Sequence, residues 1–120
     1  MERSQFERLV RNAMELLPKE ISSRLDNVDV TVEDFPTQEQ LAGHILDETD
    51  VLLGLYDGVP ITERADYGMV LPDKITIFQQ SIEAICSTED EIIEEVCQTV
   101  VHEVAHHFGI DDEKLTELEQ

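Results

Sequence analysis

The chain has 120 residues, 41% of them hydrophobic, and a formal net charge of −20 at pH 7; its size suits one domain, residues 1–120, built on a single core. A surface this acidic repels phosphate backbones and anionic lipid headgroups, so nucleic-acid and membrane-surface roles are disfavoured while cationic partners and divalent ions are favoured. The N-terminus lacks an apolar signal region and no window approaches a membrane span, which points to a cytoplasmic location.

In chain order, Phe6, Leu9, Val10, Ala13, Met14 and Leu17 recur at helical spacing, with Ser4 and Glu7 as a capping box and Pro18 closing the segment. Ile21 and Leu25 add a further turn. Val28, Val30 and Val32 then alternate with Asp29, Thr31 and Glu33, the pattern of a half-buried strand that ends by Pro36. Thr37 with Gln40 caps a short helix carrying Leu41, Ala42, Ile45 and Leu46; His44 within it reads as a solvated or structural histidine.

Residues 51–56 and 59–63 are strand-like and flank Asp57-Gly58, a two-residue hairpin signal, with Pro60 placing the second arm at an edge. Residues 64–72 are expected as loop. Lys74 to Phe78 alternates as a short strand, and Ser81 to Cys86 has room for a helical turn. Thr88 with Glu91 then caps a long helix running to Phe108, on which Ile93, Val96, Cys97, Val100, Val101, Val104 and Phe108 form one apolar arc. Cys86 and Cys97 have no C-x-x-C spacing and read as buried reduced thiols.

On the far side of that arc lie His102 and His106. Four apart on a helix, they stand about 40° apart on one face, where both imidazoles can reach one ion. Glu103, beside them and off ligand spacing, occupies the place of a carboxylate that takes a proton from metal-bound water. With four histidines in 120 residues, a shuffled chain contains H-E-x-x-H only about 0.02 times. Gly109 follows as a residue able to take φ > 0, turning the chain so that Asp111 or Asp112 approaches the histidine face.

The run His102 to Asp112, H-E-x-x-H-H-x-G-x-x-D, resembles the signature of the small bacterial zincin-like metallopeptidase family, whose members are about this long. Residues 52–64 and 71–78 are similar to that family too, so the likeness covers most of residues 50–118. It implies an α+β fold of minimal, metzincin-type zincin form, a small mixed sheet packed against the N-terminal helix and the motif helix. It also implies a zinc-dependent peptidase site with His102, His106 and, at the offset of a third ligand, Asp112 on the metal. Asp111 and Glu117 compete for that third place, one residue out of register and too far downstream respectively. In zincins the strand before the active-site helix borders the cleft and pairs with extended substrate, a role the likeness assigns to residues 74–79.

Glu103 is then general base and afterwards acid to the leaving amine, and His107, pointing away from the pair, has a supporting role. An oxyanion donor must come from upstream, with Tyr56, Arg64 and Tyr67 as candidates. Short or flexible, cationic peptides suit the acidic surface as substrates. The alternative is a metal-binding interaction module or pseudoenzyme without proteolytic activity. A third class, the three-histidine RNA-processing hydrolases, is disfavoured because they resemble H-G-x-x-H, where this chain has Glu103.

Overall fold

The computed structural model describes residues 1–42, 52–58 and 72–109. Helix α1 (Arg3–Glu15) leads into a short α2 (Lys19–Ser22), a 3-10 turn at Ser23–Leu25 and strand β1 (Val28–Glu33). A short α3 (Gln38–Ala42), strands β2 (Gly54–Asp57) and β3 (Asp73–Phe78), helix α4 (Gln79–Ile85) and the long α5 (Glu89–Phe108) follow. The predicted α+β architecture is what forms: among the described residues, a mixed three-stranded sheet with α1 and α5 packed together over it.

The strand order is β1-β3-β2, with β1 parallel to β3 and β2 antiparallel to it. The period of two in each strand sets the core. Val30, Ile75 and Tyr56 lie in one row across the sheet, and Val32, Ile77 and Gly54 in the next. These rows meet Phe6, Leu9, Val10 and Ala13 of α1 and Val96, Val100 and Val104 of α5 in one hydrophobic cluster. On the opposite face Leu52, Leu55 and Phe78 form a second, smaller cluster.

Two expectations need correcting. The first is the start of α1, which begins at Arg3 without a side-chain cap, so Ser4 and Glu7 do not form the predicted box. Tertiary contacts override the local signal there: the Arg3 guanidinium donates to Gln79 Oε1 (2.7 Å), Val32 O (2.7 Å) and Asp34 Oδ1 (2.6 Å), holding the first turn of helix in place. The Thr37–Gln40 box does form, with reciprocal bonds of 3.0 and 2.8 Å.

The second is the border strand, because β3 is the inner strand, bonded on both sides, and has no edge left for a substrate. The first arm of the predicted hairpin forms β2, which pairs with β3, while the second arm, residues 59–63, lies outside the described residues.

Helix α5 ends as predicted, with Gly109 at φ 71° and its amide donating to Ala105 O. At its start Thr88 Oγ1 accepts from Glu91 N (3.1 Å), while the Glu91 carboxylate reaches back to Ser87 N (2.6 Å). Its buried arc is rotated from the predicted one, taking in Ile92, Thr99 and Ala105 and leaving Phe108 40% exposed. The cause is β2, which lies against the Thr99 side of the helix.

Candidate metal centre

The buried positions of α5 fix what its other face carries. Val100, Val101, Val104 and Ala105 are buried against the core, so His102 and His106 are left exposed, with Glu103 half-buried between helix and sheet. The two imidazole centroids are 6.5 Å apart. Two rings on one tetrahedral zinc, with Zn–N about 2.0–2.1 Å, bring their centroids to about 5 Å. Both side chains are exposed, so rotation about their own χ angles closes that gap, and two neutral imidazoles suit zinc. The pair therefore fits two ligand places. Among the described residues no group of three His, Cys, Asp or Glu is placed to hold a metal. Asp112, Asp111 and Glu117 lie outside the described residues, as do His44, Arg64 and Tyr67.

Glu103 is aimed by β2. The Phe78 amide donates to Leu53 O at 3.0 Å, which makes 53/78, 55/76 and 57/74 the bonded pairs of the antiparallel ladder and turns the amides and carbonyls of Gly54 and Tyr56 away from β3. The outward amide of Tyr56 donates to Glu103 Oε2 at 3.3 Å. A backbone group thus holds the carboxylate at the strand edge.

Helix and strand come this close because residue 54 is glycine. A Cβ built there would stand 2.6 Å from Thr99 Cγ2 and 3.2 Å from the Thr76 carbonyl. Past this contact a cleft of about 270 Å³ opens, lined by Leu52, Leu53 and Gly54 on one wall and by Glu95, Gln98, Thr99, His102 and Glu103 on the other.

His107 faces away from the cleft. Its ring stacks on Tyr56 with centroids 4.0 Å apart, and its Nε2 lies 3.9 Å from Asp73 Oδ2. The Tyr56 hydroxyl donates to the same carboxylate oxygen at 2.7 Å. The expected supporting role of His107 is therefore met by packing α5 to the β2–β3 pair. Tyr56 drops out as an oxyanion donor, since its hydroxyl is committed to Asp73 and its ring to His107.

The model of the family described as zincin-like metallopeptidase matches residues 25–120. The chain belongs to that family. A conserved hypothetical protein from Thermus thermophilus has the same fold, with a TM-score of 0.56 at 23% identity, over 90% of this chain and 94% of that one. No protein of curated function matches. Within the zincin-like frame, metallopeptidase chemistry and zinc are family properties, and no helix among the described residues is long and apolar enough to cross a membrane.

Some residues that shape this zincin-like site were not singled out by the motif. Gly54, Thr99, Glu95 and Gln98 form the cleft, and Asp73 anchors Tyr56 and His107. One of them left a trace in the sequence: an isolated glycine inside the apolar run Leu52 to Tyr56 marks a close backbone approach.

Proposed function

We propose that the chain is a zinc-dependent peptidase in which His102, His106 and Asp112 hold the metal and Glu103 is the general base. The observation that carries this reading is the position of Glu103, tied by the Tyr56 amide to a strand edge, beside two exposed histidines and at the end of an open cleft. Zinc, when bound, polarises a carbonyl and makes a water a stronger nucleophile at neutral pH. Glu103 takes the proton from the attacking water at its carboxylate and delivers it to the leaving amine. Its half-buried place between helix and strand limits competing solvent, and the Tyr56 amide keeps it from swinging away.

The substrate-pairing strand is β2 rather than β3. The outward amide and carbonyl of Gly54 border the cleft, and an extended peptide adds there by backbone bonds. A cleft of about 270 Å³ and an acidic chain favour short or flexible, cationic peptides over folded proteins.

The test pairs calorimetric zinc titration with a peptide-library cleavage screen. His102→Ala and His106→Ala each lose most zinc affinity, whereas Glu103→Ala keeps zinc and loses cleavage. Unchanged zinc affinity in both histidine variants sinks the metal assignment, and loss of zinc in Glu103→Ala makes that residue a ligand. Zinc binding with no cleavage by the wild-type chain moves the function to a metal-binding interaction module.

A further inference from the structure

Helix α5 carries Glu95 seven residues before His102, two turns away and on the same face. Glu95 is half-buried, lines the cleft that ends at His102 and Glu103, and makes no hydrogen bond or ion pair with any described residue. Among the described residues, no lysine or arginine lines that cleft. We infer that Glu95 is a specificity-determining residue that selects peptides with a basic side chain about three residues from the scissile bond. The inference rests on the peptidase reading and adds to it the position and charge of a subsite.

The position follows from two spacings. Seven residues of helix rise about 10.5 Å, and an extended peptide covers that in about three residues at roughly 3.3 Å each. The side of the bond follows from direction. Gly54 lies against Thr99, Tyr56 against Glu103 and Gly58 against His107, so β2 runs in the same direction as α5 and approaches Glu103 from the Glu95 end. A peptide antiparallel to β2 runs from Glu103 toward Glu95, which puts the selected side chain on the C-terminal side of the bond. Half-burial matters for the strength of the effect, because a carboxylate in a cleft wall is screened less than one in open solvent.

The experiment uses the full-length zinc-loaded protein and a series of fluorogenic peptides, each with one lysine or its uncharged isostere at successive positions on either side of the bond. The wild-type chain prefers lysine at the third position or one neighbour of it on the C-terminal side. Glu95→Gln reduces that preference on the order of fivefold, Glu95→Lys shifts it toward glutamate, and Glu7→Gln, an exposed charge on α1, leaves it in place. Cleavage without a lysine preference, a preference confined to the N-terminal side, or one that survives Glu95→Gln overturns the inference and leaves the peptidase reading intact. If no peptide is cleaved, the peptidase reading fails, and binding decides the subsite. Labelled lysine peptides then bind the Glu103→Ala protein more tightly than their glutamate counterparts and lose that difference with Glu95→Gln, or the inference falls.

Discussion

Adding one methyl group at Gly54 tests how the site is assembled. In Gly54→Ala the new Cβ lies 2.6 Å from Thr99 Cγ2, about 1 Å inside an ordinary carbon–carbon contact. Thr99 is only 8% exposed, and the next neighbour, the Thr76 carbonyl at 3.2 Å, belongs to the inner strand, so neither can simply turn aside. Helix α5 must retreat, and overpacking of this kind costs about 1–3 kcal/mol. The same movement lengthens the 3.3 Å bond from the Tyr56 amide to Glu103 past useful range. Urea unfolding measures the loss, and Thr99→Ser, which removes Cγ2 and keeps the hydroxyl, recovers at least about half of it in the double variant. A Gly54→Ala protein within about 0.5 kcal/mol of wild type, or an equal loss with Thr99→Ser present, refutes the close-approach argument.

Other outcomes probe other parts of the molecule. Asp112→Ala weakens zinc binding and Asp112→His restores it, while Asp111→Ala and Glu117→Ala change it little; calorimetry distinguishes these, and zinc loss in Glu117→Ala alone reassigns the third ligand. Thr88→Ala removes the cap of α5 and lowers stability by about 1 kcal/mol in chemical denaturation. Burial pushes the Cys86 thiol up, with the Glu95 and Glu91 carboxylates adding to it, and burial followed by Glu94 does the same for Cys97. A raised value means less thiolate at any pH below it, so both thiols alkylate more slowly than a free thiol near neutral pH; Glu95→Gln speeds Cys86 and leaves Cys97 unchanged when followed by mass spectrometry.

Period and punctuation made much of this molecule legible before its coordinates. The alternation Val28 to Glu33, the cap at Thr88 and the turn at Gly109 appear as expected because each is decided by residues within a few positions of one another. The family motif likewise located the two histidines and the carboxylate on one helix. Pairing was not legible in the same way. The parallel bond between β1 and β3 joins segments more than forty residues apart, and no local signal says which strand becomes the inner one. The hairpin signal at Asp57-Gly58 marked the end of β2 correctly, and nothing near it announced the pairing of β2 with β3. Arg3 shows the same limit at a helix start, where three distant acceptors outweighed a local capping box.

Among the described residues, two long side chains close the sheet at its opposite margins. On the β1 side the Arg3 guanidinium takes the Val32 carbonyl, and on the β2 side the Glu103 carboxylate takes the Tyr56 amide. A cation covers an acceptor and an anion covers a donor, so each plug matches the polarity of the backbone group it guards. Unplugged margins of this kind invite chain-to-chain association and aggregation. The β1 plug is also tied to Asp34 and Gln79, which makes it permanent so long as the fold holds. The β2 plug meets its backbone donor at 3.3 Å, a longer contact than any of the three that the Arg3 guanidinium makes. Among the described residues each margin of the sheet is thus covered by an ion suited to its backbone group, and at the β2 margin that ion is also the base proposed to act on a substrate.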